Sequence, residues 1–106
     1  MVNILTLGAA GVLGSEIVQQ LEVLPDVAQT CADIHKPTYH CPNGINVQVD
    51  ARDQSQLAPL VNGQNFIVCS LNGDWLAMAK ALVAAIPEKQ ETHIIWVIKH
   101  SWHTFV

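Results

Sequence analysis

Three glycines near the start of the chain have the spacing of a phosphate-binding turn. Gly8, Gly11 and Gly14 form a G-x-x-G-x-x-G pattern, a variant of the G-x-G-x-x-G spacing of dinucleotide-binding turns. An apolar run precedes the pattern and an amphipathic run follows it, which predicts a strand, a tight turn and a helix. The N–H groups that begin such a helix attract a pyrophosphate, because they lack partners and stand at the positive end of the helix dipole.

Each glycine has its own expected task in this turn. Gly8 lets the chain turn sharply out of the strand, Gly11 lets the backbone approach a pyrophosphate, and Gly14 lets the helix pack closely on the sheet. The alternative is a tight strand–helix turn that binds nothing. We assign the turn and the start of the helix to cofactor binding: Gly8, Ala10, Gly11, Val12, Leu13 and Gly14.

An aspartate stands where dinucleotide-binding domains carry an acidic residue. Asp33 ends a second predicted strand and follows Gly14 by about 20 residues, which is the expected separation. A carboxylate there accepts hydrogen bonds from the adenosine ribose and repels a 2′-phosphate, so the pattern favours NAD over NADP. His35 and Lys36 follow at once and offset part of that charge, so NADP stays open. We include Asp33 and Ile34 in the predicted site.

Further site residues follow from topology. In an open α/β sheet, ligands bind beyond the carboxyl ends of the strands, at the switch point. Asp50 and Ala51 follow the third predicted strand, on the side expected for adenine. Three residues follow the fourth strand, near the expected central ribose and nicotinamide: Ser70, Leu71 and Asn72. The alternative is that Asp50 and Asn72 only cap their loops, and the sequence favours neither reading.

The elements that must position these residues alternate between strand and helix. Strands are predicted at 3–7, 27–33, 45–49, 66–69 and 94–98, and helices after Gly14, at 54–61 and at 75–86. This alternation predicts an α/β fold, a Rossmann-like three-layer α/β/α arrangement with a parallel sheet of about five strands in the order 3-2-1-4-5. We expect a single domain over 1–106 with an irregular tail at 99–106.

Three finer expectations concern the later elements. The apolar face of the third helix is expected to comprise Trp75, Leu76, Ala79, Leu82, Val83 and Ile86. The fifth strand is so apolar that we expect it to be central. Pro59 fits badly inside the second helix, so it is expected near an end or at a kink.

Composition excludes several classes of protein. Half of the 106 residues are hydrophobic, 13% are charged and the net charge is −4, which argues against a disordered chain and against nucleic acid as a partner. No apolar run approaches the roughly 18 residues that a membrane span requires. The three cysteines form no C-x-x-C pair, so we expect buried free thiols, no metal site and a reducing cytoplasmic location.

Four segments resemble one protein family. Residues 3–14 resemble the opening of the atypical short-chain dehydrogenases, in particular the NmrA-like, NAD(P)H-binding group. Residues 49–53 are similar to that family's Gly-Asp segment after the third strand, and 62–68 to the segment before its fourth-strand loop. Residues 94–98 stand where the family has its fifth strand. The resemblance covers about 1–98, and the glycine turn is its most specific part.

The resemblance implies dinucleotide binding by the three glycines and Asp33, with Asp50 at the adenine. It implies no complete catalytic site. Short-chain dehydrogenases carry a Ser after strand five and a Tyr-x-x-x-Lys motif; Ser101 stands near the first place, but the only tyrosine, Tyr39, is followed four residues later by Asn43. Members of the family also usually have at least twice this length, and the additional part holds the substrate pocket. The catalytic residues are therefore unassigned.

Three functions remain open at this point. The first is the NAD(P)-binding domain of an NmrA-like oxidoreductase with an unknown small-molecule substrate. The second is a dinucleotide-sensing or binding module without catalysis, and the third is an inactive fragment that folds as a dimer. A half-domain of five strands leaves sheet edges and apolar helix faces uncovered, so we also expect a homodimer.

Overall fold

Short apolar runs form the strands of the protein, and longer periodic runs form its helices. The computed structural model describes residues 1–36 and 39–97. In chain order the elements are β1 (Val2–Leu7), α1 (Val12–Glu22), β2 (Val27–Asp33), β3 (Ile45–Gln48), α2 (Gln54–Val61), β4 (Phe66–Cys69), α3 (Trp75–Ala85) and β5 (His93–Trp96).

The five strands form one parallel sheet in the order β3-β2-β1-β4-β5. The predicted fold class and strand order are therefore confirmed, and the chain has a Rossmann-like α/β fold. The chain runs outward from β1 to β3 and then returns to the other side of β1 to form β4. This reversal places the switch point beyond the carboxyl ends of β1 and β4.

Two buried clusters lie on opposite faces of this sheet. Leu7 of β1 pairs with Ala32 of β2, whereas Thr6 pairs with Cys31. Because neighbouring residues of a strand point to opposite faces, Ala32 and Cys31 belong to different layers. Ala32 lies in the larger cluster, with side chains of α2 and α3, and Cys31 lies in the smaller one, with Val18 of α1.

Aspartates begin the two helices of the larger layer. The Asp53 carboxylate accepts the Ser55 N–H at 2.9 Å at the start of α2, and Asp74 accepts the Ala77 N–H at 3.2 Å at the start of α3. Each satisfies an N–H that has no partner within its helix. Pro59 lies two residues before α2 ends, as predicted.

The prediction that the fifth strand is central was wrong. In the part of the sheet that is described, β5 pairs only with β4 and forms an edge, with Ile94 40% and Ile95 49% exposed. Composition does not separate an apolar edge strand from a buried central strand, whereas the predicted strand order already places the fifth strand at the end of the sheet. The strand begins at His93 and ends at Trp96; Ile98 and the tail at 99–106 lie outside the described residues. Strand β3 likewise ends at Gln48, one residue earlier than predicted.

The predicted buried face of α3 was also wrong in part. Leu82 is buried, but Trp75, Leu76 and Val83 are 62%, 55% and 64% exposed. The helix instead buries Met78 and Ala81 beside Leu82. Since α3 has only one charged residue in its sequence WLAMAKALVAA, it is apolar on most sides, and periodicity does not single out one face.

The three cysteines are free and buried. Burial raises the pKa of the Cys31 and Cys69 thiols to about 12, so neither is a ready nucleophile at neutral pH. No group of metal-binding side chains occurs within residues 1–36 and 39–97. The helices in that part of the chain are all too short, or too polar, to cross a bilayer.

Replacement of adjacent α3 residues tests the corrected face. Leu82→Ala should lower the free energy of unfolding by about 2–5 kcal/mol, because it leaves a cavity in the core. Val83→Ala should change it by less than about 0.5 kcal/mol, since that side chain is largely in solvent. Urea unfolding followed by circular dichroism measures both values, and equal losses would contradict the assignment.

Candidate functional site

The turn after β1 requires glycine at its first position. Gly8 has a φ of +87°, a region that residues with a Cβ rarely adopt. An added Cβ would also overlap the carbonyl oxygen of Ser70 and lie 2.7 Å from its carbon. The N–H groups of Gly8 and Ala9 both donate to the Ala32 carbonyl, at 2.8 and 3.1 Å. The turn is therefore packed between β2 and β4.

Gly14 lets the first helix begin directly on this turn. A Cβ at Gly14 would overlap the Gly8 carbonyl oxygen and lie 2.8 Å from the Gly8 carbonyl carbon. Gly14 itself is buried. The approach of these two backbones therefore needs glycine at position 14, whereas glycine at position 8 is needed for the turn itself and for its contact with Ser70.

Gly11 is different, because nothing in the fold requires it to be glycine. Its φ of −73° and ψ of 167° are ordinary for any residue. An added Cβ would touch only the Gly8 carbonyl oxygen, at a normal 3.5 Å. The side of Gly11 where a Cβ would stand is thus open, and the local structure leaves that space free.

The first turn of α1 presents unpaired backbone N–H groups beside this space. The Gly11 N–H donates to the Gly8 carbonyl at 3.2 Å, and the Ser15 N–H donates to the Gly11 carbonyl at 2.8 Å. Between them, the N–H groups of Val12, Leu13 and Gly14 have no acceptor within the described residues, and no side chain caps the helix. Three donors at the positive end of a helix form an anion site.

The Asp33 carboxylate connects the end of β2 to the glycine turn. One oxygen accepts the Ala10 N–H at 2.9 Å, and the other accepts the His35 N–H at 2.9 Å. The His35 ring nitrogen Nδ1 lies 3.3 Å from the second oxygen. Only 10% of the Asp33 side chain is exposed. A carboxylate oxygen accepts about two hydrogen bonds, so Asp33 keeps acceptor capacity beyond these contacts.

A second acidic residue follows β3 and is paired with an arginine. The Arg52 guanidinium donates to both Asp50 oxygens, at 3.1 and 2.9 Å, and the Arg52 N–H donates to the first of them at 2.9 Å. The Asp50 N–H donates to the Gln56 side chain at 2.8 Å. Hydrogen bonds from Arg52 lower the pKa of the Asp50 carboxyl, so Asp50 is ionised at neutral pH.

A cavity of about 180 Å³ lies between these loops, at the carboxyl ends of the strands. It is smaller than the roughly 300–1,000 Å³ of a typical small-molecule site, so it encloses only part of a dinucleotide. Seven of the residues predicted from the sequence line it: Gly8, Asp33, Ile34, Asp50, Ala51, Leu71 and Asn72.

The other six predicted residues lie outside the cavity lining. Ala10, Gly11, Val12, Leu13 and Gly14 form the turn and helix start next to Gly8, and Ser70 places its carbonyl against Gly8. Gly8 thus belongs to both the turn and the cavity.

Sequence reasoning missed seven residues that line the cavity: Leu7, Ala32, Val49, Arg52, Gly73, Asp74 and Met78. Arg52 had a usable signal, because it stands two residues after Asp50 in the same loop. Asp74 directly precedes the third predicted helix, so its position in the sequence indicates only a helix start. Met78 had no signal in the sequence, because the position of its side chain depends on which face of α3 is buried.

The charged groups of this cavity are mostly acidic. Among the residues that the structure describes, Asp33, Asp50 and Asp74 line it with one cation, Arg52. No His, Tyr, Cys or Lys occurs in the lining formed by the described residues. Tyr39 is distant from it, because its hydroxyl donates to Glu22, at the opposite end of α1, about 15 Å along the helix from the glycine turn. That hydrogen bond raises the pKa of Tyr39 to about 12.

Comparison with solved structures identifies the fold. A Rossmann-fold NAD(P)-binding family protein from Shigella flexneri matches with a TM-score of 0.79 and 27% identity, over 92% of this chain and 52% of that one. Uronate dehydrogenase from Agrobacterium tumefaciens matches with a TM-score of 0.67 and 25% identity, over 80% of this chain and 36% of the enzyme. The fold is that of NAD(P)-binding Rossmann domains.

A third match is similar in fold alone. The dTDP-glucose 4,6-dehydratase of Bacillus anthracis, solved in complex with NAD, has a TM-score of 0.74 at 15% identity, over 91% of this chain and 37% of that enzyme. The chain therefore spans about half, or less, of the solved structures it matches. No protein-family model and no curated protein sequence matches the chain.

The two glycines that face each other should tolerate substitution far less than Gly11. Gly14→Ala should lower the free energy of unfolding by about 3 kcal/mol or more, because the added carbon overlaps backbone that has no room to move. Gly11→Ala should lower it by less than about 1 kcal/mol, since only a cap preference is lost. Thermal and urea unfolding check the difference; a Gly11→Ala loss as large as that of Gly14→Ala would contradict the geometry.

Proposed function

We propose that this chain is the NAD(P)-binding domain of an oxidoreductase of the atypical short-chain dehydrogenase type, related to the NmrA-like group. The observation that carries the proposal is the open space at Gly11 beside three unpaired N–H groups of α1. The similar structures support it at the level of a domain, and a mutant of the uronate dehydrogenase of Agrobacterium tumefaciens has been solved in complex with NAD.

The residues present fit the pyrophosphate of such a cofactor. The N–H groups of Val12, Leu13 and Gly14 would donate to phosphate oxygens, and the helix dipole adds about half a positive charge at that end. Gly11 would admit the phosphates where a side chain would exclude them. This combination explains why the turn has a third glycine that the fold itself does not need.

The adenosine end of the cofactor fits the cavity beside the turn. Asp33 would accept hydrogen bonds from the ribose hydroxyls, with Ile34 beside it. Asp50 and Ala51 would contact the adenine. The far end of the cofactor would lie toward the loop after β4, which carries Ser70, Leu71 and Asn72. The cavity volume agrees with this division, because it accommodates one end of a dinucleotide rather than the whole.

In this proposal the cofactor supplies hydride transfer, and the chain supplies binding and orientation. The described residues bind the phosphates and the adenosine and hold them at the switch point of the sheet. About half of the similar Shigella flexneri protein has no counterpart in this chain. The residues that bind the substrate and the acid–base residues would belong to a part of that kind. Ser101 lies outside the described residues, and Tyr39 does not face the cavity.

A dinucleotide sensor without catalysis is the second candidate. It is favoured by the cavity lining, because the described residues there include no pair that could act as acid and base at neutral pH. Assays of NADH oxidation with carbonyl or quinone acceptors distinguish the two functions. An oxidoreductase should oxidise NADH, whereas a sensor should not.

The homodimer expected from the sequence stays a prediction. It is supported by β5, whose outer edge has no strand partner within 1–36 and 39–97 and whose Ile94 and Ile95 are exposed. An unpaired apolar edge is a template for pairing with another chain, and a second copy is the simplest partner of that kind.

Filling the space at Gly11 should weaken cofactor binding while leaving the fold intact. Wild-type protein should bind NADH, measured by the change in NADH fluorescence, and Gly11→Val should weaken the affinity at least about tenfold, or about 1.4 kcal/mol. Val23→Ala, at the other end of α1 and 78% exposed, is the control and should leave the affinity unchanged. Absence of NADH binding by the wild type, or unchanged binding by Gly11→Val, would contradict the proposal.

The acidic cavity should favour NADH over NADPH. Asp33 and its acidic neighbours would repel the 2′-phosphate, so we expect tighter binding of NADH, and Asp33→Ser should narrow the difference between the two cofactors. Asp26→Asn, before the start of β2, removes a carboxylate from the opposite end of that strand and should leave the preference as it is. Titration with NADH and NADPH measures the two dissociation constants. Tighter binding of NADPH than of NADH by the wild type would overturn the predicted preference.

A further inference from the structure

Arg52 is the only arginine in the chain, and the structure uses it to hold one carboxylate. Its Nε donates to Asp50 Oδ1 at 3.1 Å and its terminal nitrogen donates to Oδ2 at 2.9 Å. This two-point contact fixes the plane of the carboxylate as well as its position. Both residues line the cavity.

The hydrogen bonds of Asp50 leave one oxygen with spare capacity. Oδ1 accepts two donors, the Arg52 N–H and the Arg52 Nε, whereas Oδ2 accepts one. Since a carboxylate oxygen accepts about two hydrogen bonds, Oδ2 keeps one free acceptor position among the described residues. The Asp50 side chain is 31% exposed, so a ligand can reach it.

We propose that Arg52 is a positioning residue that orients Asp50 Oδ2 as the acceptor for the exocyclic amine of adenine, and thereby selects a 6-aminopurine over a 6-oxopurine. This inference rests on the proposed function, because it needs the adenosine end of the cofactor in the cavity. Arg52 acts through Asp50 and is not itself the group that distinguishes the bases.

The charges around the pair agree with this role. Asp33, Asp50 and Asp74 line the same cavity, and Arg52 is the cation among them. An ionised carboxylate only accepts hydrogen bonds. It therefore attracts the amino group at position 6 of adenine and repels the carbonyl oxygen at position 6 of hypoxanthine. Asp50 is ionised at neutral pH, and the hydrogen bonds from Arg52 lower the pKa of its carboxyl further.

The test compares NAD with nicotinamide hypoxanthine dinucleotide, which differs in the base alone. Calorimetry on the wild type should give a preference for NAD of about tenfold, the effect of one charge-assisted hydrogen bond. Arg52→Met should reduce the ratio of the two dissociation constants to about threefold or less, with Asp50 still present. Arg52→Lys retains the charge but loses the two-point contact, and should give an intermediate ratio.

Three further variants separate the positioning role of Arg52 from a general effect of charge. Lys80→Met removes a positive charge from the exposed face of α3, outside the cavity lining, and should retain the wild-type ratio. Asp50→Asn should lose the preference, and Arg52→Met added to Asp50→Asn should change the ratio no further. Thermal unfolding of every variant confirms that the fold is present.

The outcomes distinguish this inference from the proposed function. If the wild type binds both dinucleotides and Arg52→Met retains the tenfold ratio, the positioning role is wrong and the proposed function stands. The positioning role is also wrong if Arg52→Met weakens the binding of both dinucleotides equally and leaves the ratio of their dissociation constants unchanged. Arg52 would then contact a part of the ligand that the two dinucleotides share. If the wild type binds neither dinucleotide, the proposed function and the inference fall together.

Discussion

The close approach of the Gly14 backbone to the Gly8 carbonyl is the contact on which the candidate site depends. An atom added at Gly14 would overlap that carbonyl, so the start of α1 is held against the turn after β1 without an intervening side chain. The same turn is held by the Ala32 carbonyl of β2 and by Ser70 after β4. The three free N–H groups of the helix are consequently fixed at the switch point of the sheet, and no reorganisation is needed before an anion binds there.

The acidic residues around this turn serve the structure and remain available to a ligand. Asp33 ties the turn to β2 through the Ala10 N–H, and Asp50 is held by Arg52 in the neighbouring loop. Such fixed carboxylates lose little conformational entropy when they accept hydrogen bonds from a ligand. The site thus combines backbone N–H donors at the positive end of a helix dipole with an acidic cavity made of side chains. This asymmetry supports the proposal of a ligand with phosphates at one part and hydroxyl and amino donors at another.

Much of this was predictable from the sequence, because local signals and global topology agree. The glycine spacing, the buried run before it and the position of Asp33 predicted the turn, and the alternation of strands and helices predicted the sheet order. The signals failed where neighbours decide the outcome. Helix α3 is apolar on most sides, so only its contacts with the sheet show that Met78 and Ala81 are buried while Trp75 and Val83 are exposed. Strand β5 is apolar in sequence yet lies at an edge of the sheet that the described residues form. The two-point contact of Arg52 with Asp50 likewise depends on how their shared loop folds.

Backbone NMR shows whether the amides that open α1 bind the phosphates of a dinucleotide. On addition of NAD to ¹⁵N-labelled protein, we expect the largest, saturable shifts of amide resonances at Val12, Leu13 and Gly14, with smaller shifts around Asp33 and Asp50. Two results would contradict phosphate binding by these amides. The first is unchanged resonances of the three amides while others shift to saturation, and the second is no saturable shift at millimolar NAD.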